Sequence, residues 1–238
     1  MAYVENADTT GYSDHQIEDF NAAVEAAKEA IEAAATPEEI DAALEALYAA
    51  VEAVKTSCPA KNFVDVDLSR WYHESVDFMV TNGYMNGVSA TEFAPNADLP
   101  RAQLVTILYR VAGEPAVEGL ANPFTDVESG KWYSNAVIWA ANEGIVRGIT
   151  DTTFAPNKVT DREQLATIVY RFNGAEDVDT AVLDGYADGS TVSKYAVNAM
   201  AWAVENGIIT GTTTTTLAPK DTATRAQVAT ILARYLAD

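Results

Sequence analysis

The stretch FTDVESGKWYSNAVIWAANEGIVRGITDTTFAPNKVTDREQLATIVY, at 124–170, carries the architecture because its landmarks occur three times in the chain. Trp132-Tyr133 has counterparts in Trp71-Tyr72 and Tyr195-Ala196, at nearly equal separations before and after it. An aromatic–x–Asp precedes each pair: Phe63/Asp65, Phe124/Asp126 and Tyr186/Asp188. Twelve positions after each pair's first member comes a glycine (Gly83, Gly144, Gly207), and four further on a second (Gly87, Gly148, Gly211). Phe93, Phe154 or Leu217 then opens an Ala-Pro step, and eight positions past it stands Arg101, Arg162 or Arg225. Landmarks this dense and evenly spaced define a tandem repeat.

Each unit reads as helix, glycine-punctuated loop, helix. The first helices are expected at roughly 71–82, 132–143 and 195–206, each stopping at its glycine. The Ala-Pro step bars an immediate return to helix. The second helices carry apolar residues at i, i+3, i+4 and i+7: Leu104/Ile107/Leu108/Val111, Leu165/Ile168/Val169/Phe172 and Val228/Ile231/Leu232/Tyr235. Such one-sided stripes are made for burial, and three of them can satisfy one another about a shared axis. The expectation is an all-α, pseudo-threefold body in a monomeric chain. Thr224-x-x-Gln227 is a capping box and Asp161-x-x-Gln164 a near variant. Pro100 has no side-chain oxygen, so a shifted cap from Asp98 is expected in the first repeat.

Outward from the repeats, the segment 1–60 is different. Its parts 17–35 and 37–56 are rich in alanine and glutamate at helical spacing. Thr36-x-x-Glu39 caps the second of them. They read as an antiparallel helical hairpin. Of the formal charge of −20, the segment 1–60 holds 13 acids against 2 bases, and the rest 22 against 13. Such a surface repels nucleic acid and anionic lipid at long range. An anionic ligand would need local cations. Cys58 stands alone, which leaves no partner for an intrachain disulfide. The opening MAYVENADTT lacks a basic and an apolar region, so an exported protein would be represented here in mature or trimmed form. No segment approaches the ~20 apolar residues of a membrane span.

Two readings compete for the arginines, each at the first turn of a helix, where a cation opposes the dipole at a cost of about 0.3–1 kcal/mol. Each could clamp loop to helix by pairing with a carboxylate such as the aspartate of its aromatic–x–Asp motif. Alternatively, arginine and the free N–H groups of the same helix end converge on a ligand anion. Trp71 and Trp132 either stack on a sugar face or fill the gap between helix and loop. The glycines begin as conformational devices and could also let a ligand approach bare backbone. Catalysis is poorly supported: His15 and His73 do not recur in the repeats, and no carboxylate pair stands out. No calcium-loop pattern, no other metal site and no cofactor site emerges.

The succession Phe-x-Asp-Val, Trp-Tyr, Gly-x-x-x-Gly, Phe-x-Pro and Thr-Arg-Ala-Gln resembles the S-layer homology family, from Phe63 to about Leu236. The resemblance implies a spindle of three repeats, at 61–116, 117–177 and 178–238, behind a spacer at 1–60. It implies extracellular anchoring of a bacterial surface protein to a secondary cell-wall polysaccharide bearing a pyruvylated amino sugar, without membrane insertion. Arg101, Arg162 and Arg225 match the motif arginine and would meet the pyruvyl carboxylate. Gly87, Gly148 and Gly211 would bring sugar against backbone, beside Trp71 and Trp132. The sequence departs from the pattern at Pro100 and Asp161 in place of threonine, at Tyr195-Ala196, and at Gln103, Gln164 and Gln227. Asp161 is expected to encumber the second groove. That favours the first, which has an aromatic pair and no added acid. A lattice-assembly or other protein–protein module is the alternative.

Overall fold

A computed structural model describes residues 14–56 and 58–237. The opening MAYVENADTT, at the start of the expected spacer, lies outside the described residues. Among those described, the chain is all-α: eight α-helices and three short 3₁₀ turns, with isolated bridges but no strand. The described residues divide into two compact units, one formed by those up to 82 together with 86–93, the other by 83–85 and those from 94 onward.

In the first unit, helices α1 (Asp14–Ala33) and α2 (Pro37–Thr56) form the hairpin. Phe20, Val24 and Ala27 recur on one face of α1 at helical spacing, and they pack with Leu47, Val51 and Val54 of α2. The capping box at the entry to α2 is reciprocal. The Thr36 N–H donates to Glu39 Oε2 at 3.1 Å, and the Glu39 N–H to Thr36 Oγ1 at 3.3 Å. A 3₁₀ turn (Pro59–Asn62) leads to helix α3 (His73–Thr81).

The second unit holds α4 (Arg101–Val111), α5 (Ser134–Asn142), α6 (Arg162–Phe172), α7 (Val197–Glu205) and α8 (Arg225–Ala237). The first helix of each repeat starts two positions later than its aromatic pair suggested. Trp71-Tyr72 and Trp132-Tyr133 are spent in a tight turn, closed by His73 N–H to Arg70 C=O and Ser134 N–H to Lys131 C=O. The end is as expected: Gly144, with φ of 73°, follows α5 in the left-handed region. Leu104, Leu108, Leu165, Val169, Val228 and Leu232 are buried, while Val111, Phe172 and Tyr235 at the far end of the stripes are half-buried.

Three second helices close into a ring through their first turns. Arg101 N–H donates to Lys158 C=O, Arg162 N–H to Asp221 C=O, and Arg225 N–H to Ala97 C=O, at 2.9, 3.0 and 2.8 Å. The next N–H of each helix donates to the carbonyl of Pro156, Pro219 and Pro95 respectively. Each repeat thus satisfies the exposed helix end of the one before it, and the third returns to the first. This corrects two expectations. Pro100 needs no shifted cap from Asp98, because the neighbouring repeat supplies the acceptors. Nor are those helix N–H groups free for a ligand. The other caps form as read. The Asp161 carboxylate accepts from the Gln164 N–H at 2.8 Å, and Thr224 with Gln227 makes a full capping box.

Candidate functional site

The three arginines begin their helices and are almost wholly buried, with exposures of 5%, 4% and 5% for Arg101, Arg162 and Arg225. Arg101 Nε donates to the Phe154 carbonyl and Nη1 to Gln164 Oε1, both at 3.0 Å, and its guanidinium lies over the Phe154 ring. Arg162 repeats the device one unit on, with Nε to the Leu217 carbonyl and Nη2 to the Thr210 carbonyl, both at 2.8 Å. Arg225 Nη1 donates to Gln103 Oε1 at 2.8 Å. The arginines are therefore clamps between repeats, but Arg101 and Arg162 clamp through neutral oxygens. Among the described residues neither has a carboxylate within ion-pairing distance.

The aspartates of the aromatic–x–Asp motifs have a different task. Asp126 accepts from the Phe154 and Ala155 N–H groups at 2.8 and 2.7 Å, and Asp188 accepts from Leu217 and Ala218 likewise. In the first unit, Asp65 accepts from the Phe93 N–H at 2.8 Å. Ala155 and Ala218 both have positive φ, in the left-handed region. For a residue with a Cβ that conformation costs about 1–2 kcal/mol. The carboxylate pins this strained turn and so sets the carbonyl that the arginine of the preceding repeat grips.

Beside Arg101 lies a cleft of about 390 Å³. Its walls include Arg101, Arg147, Lys158 and Arg171, together with Gly148, Ile149, Gln164 and Tyr195, and no acidic side chain. Burial pulls the Arg101 and Arg171 guanidiniums down from the usual arginine range. Asp161 works against this at Arg101, whereas Arg147 adds to it at Arg171. The charge of Asp161 thus acts at the first groove, whereas the sequence suggested the second. Gln164 stands between the two, its amide donating to Asp161 and its oxygen accepting from Arg101.

The aromatic member of this cleft is Tyr195, from the third repeat, rather than the tryptophan of the arginine's own repeat. Its hydroxyl donates to Glu163 Oε1 at 2.9 Å, and Lys220 Nζ holds both oxygens of that carboxylate at 2.7 Å. Burial and the Glu163 partner push the Tyr195 phenol well above its ordinary value, so it remains a neutral donor. Burial raises Glu163, but the bonds from Lys220, Ser193 and Tyr195 outweigh it and hold the carboxyl below the usual glutamate range.

Trp71 and Trp132 do not fill a gap. They are 60% and 63% exposed, standing edge-on to the buried Tyr72 and Tyr133 at 5.3 and 5.1 Å. Gly148 lines the cleft, yet its first requirement is internal: a Cβ there would sit 2.4 Å from the Thr150 carbonyl oxygen. Gly87 and Gly211 are crowded in the same way by the carbonyls of Ser89 and Thr213.

The surroundings of Arg101 and Arg162 differ position by position. Where the first has Arg147, Lys158 and Arg171, the second has Thr210, Asp221 and Arg234. Asp221 is the foremost charge acting on Arg162. The first cleft is the strongly cationic one. Sequence reasoning passed over Arg171, although Arg110, Arg171 and Arg234 recur nine positions after the motif arginines. It missed Arg147 for a different reason, since that residue occurs in one repeat alone.

The family model for the S-layer homology domain matches residues 62–105, 123–166 and 185–229, more than half of the chain. The chain belongs to the S-layer homology domain family. Among its relatives are the surface-layer 125 kDa protein of Lysinibacillus sphaericus, 33% identical over 71% of this chain, and the S-layer protein of Bacillus thuringiensis subsp. finitimus, 28% identical over 73%. An amylopullulanase of Thermoanaerobacterium thermosulfurigenes is 28% identical over 72%. The matches cover 14%, 21% and 9% of those proteins, so the likeness to the amylopullulanase carries no catalytic activity across. Family and S-layer relatives together indicate a cell-wall or surface location and a role in surface anchoring or S-layer association. Among the described residues, no helix is long and apolar enough to cross a membrane.

Proposed function

We propose that this S-layer homology module anchors its protein by holding an anionic secondary cell-wall polysaccharide, with the Arg101 cleft as the principal site. The reading rests on charge: a protein of net charge −20 lines one open cleft with four cations and no acidic side chain, although Asp161 and Glu163 stand behind that lining. Arg101 uses two of its five N–H groups on protein oxygens, which leaves donors for a carboxylate such as that of a pyruvyl ketal. Tyr195 supplies an apolar ring edge and, its proton being donated to Glu163, a hydroxyl oxygen that can accept from a sugar, and the Gly148–Ile149 backbone lies in the same wall. In this reading Arg162 with Gly211 forms a weaker counterpart, Arg225 a further one, and Trp71 and Trp132 offer exposed rings for neighbouring sugars. The cations concentrate the polymer locally while the remaining acidic surface keeps other polyanions away.

The test is sedimentation of the chain with purified sacculi, intact and after removal of pyruvyl groups. Retention should weaken after removal and as salt rises. Retention indifferent to both treatments would instead support assembly through protein–protein contacts.

A further inference from the structure

Arg147 and Arg171 face the cleft alongside Arg101. Among the described residues, neither makes an ion pair or a side-chain hydrogen bond. The helix position of Arg171 is tethered in the other repeats: Arg110 Nη1 donates to the Tyr84 carbonyl and Arg234 Nη1 to Thr210 Oγ1, both at 3.2 Å. Thr210 occupies the position that Arg147 fills in the second repeat. The third repeat thus gives its arginine an acceptor where the second gives a like charge. Two guanidiniums lining one cleft repel each other, an effect that solvent screens at the exposed Arg147, and an anion held beside both would be attracted by each. Burial is the larger influence on Arg171, and Arg147 is the next.

We infer that Arg147 and Arg171 form a second anion subsite, separate from Arg101, so that the cleft takes a saccharide segment carrying two negative groups. The inference rests on the cleft being the polysaccharide site. The second group is a carboxylate or a phosphate, both of which suit the planar guanidinium fork. A neutral carbonyl would gain less there, because it leaves both positive charges uncompensated. Specificity would then lie in the distance between the two anionic groups of the polymer.

Titration calorimetry with defined probes tests this. One probe is a pyruvylated N-acetylhexosamine with a single carboxylate. The other is the same sugar extended by a neighbour bearing a second anion, prepared once as a uronate and once as a phosphate monoester. Wild-type protein should prefer a probe with two anionic groups, and the form preferred at a pH of about 5, where the phosphate monoester and the uronate each carry about one charge, identifies the group. Arg147→Thr, which restores the pattern of the third repeat at an exposed position, should reduce that preference about tenfold. An unchanged preference, or none in the wild type, overturns the second subsite while leaving the first intact. Failure of the wild type to bind any probe overturns the polysaccharide site itself, and this inference with it.

Discussion

Asp126 and Arg101 grip one residue from its two polar ends: the Asp126 carboxylate accepts the Phe154 N–H at 2.8 Å, and Arg101 Nε donates to the Phe154 carbonyl at 3.0 Å. Asp188 and Arg162 hold Leu217 in the same way. In these two pairs the carboxylate and the guanidinium form no direct ion pair; both bind a shared backbone unit. Removing the carboxylate by Asp126→Ala leaves the Phe154 and Ala155 N–H groups without their partner, which should lower stability by about 1–3 kcal/mol in denaturant unfolding. Asp126→Asn retains one acceptor and should lose less.

Ala155 holds a side chain on a backbone with φ of 58°. Ala155→Gly removes the Cβ penalty and should leave the melting temperature unchanged or higher, despite glycine's greater freedom in the unfolded chain. Ala155→Val, with branching at Cβ, should destabilise by about 1 kcal/mol or more. A glycine variant that melts well below wild type would show that the turn is unstrained.

Glu163 is held below the ordinary glutamate range by Lys220, Ser193 and Tyr195, against the opposing effect of burial. A carboxyl with a depressed folded-state pKa contributes stability that is complete above its unfolded value and is lost as pH falls through the folded one. Glu163→Gln should therefore be destabilised relative to wild type at neutral pH. The difference should shrink as pH falls below about 4. Thermal unfolding as a function of pH reads this out.

Cys58 is buried in the first unit, 3.2 Å from His73 Nε2. Burial, with Asp77 nearby, raises its thiol to about 11. At pH 8 it should be almost wholly protonated and should resist thiol-reactive dyes until denaturant is added. Rapid labelling of native protein would be at odds with the packing around Ala60, His73 and Asp77.

The division between what was and was not legible in the sequence follows from the range of each interaction. The helices, the capping boxes at Thr36 and Thr224 and the breaks at Gly144 and Pro156 depend on near neighbours along the chain, so spacing exposes them. The acceptors for the α4 N–H groups are Lys158 and Pro156, in the following repeat, and become visible only once the ring closes. Pro100 looked like a failed cap for that reason. The same crossing from one repeat to the next places Asp161 and Tyr195 beside Arg101. Periodicity favours residues that recur, which brings the three motif arginines forward and leaves Arg147 unnoticed because it occurs once.

Sugar capture at the Arg101 cleft is tested at its root by titrating isotopically labelled protein with released wall polysaccharide and mapping the amide shifts. Binding there predicts saturable shifts concentrated at Gly148, Ile149, Gln164 and Tyr195, and lost as salt rises. Shifts confined to the α1–α2 hairpin, or lying elsewhere with Gly148 and Tyr195 unmoved, would refute it.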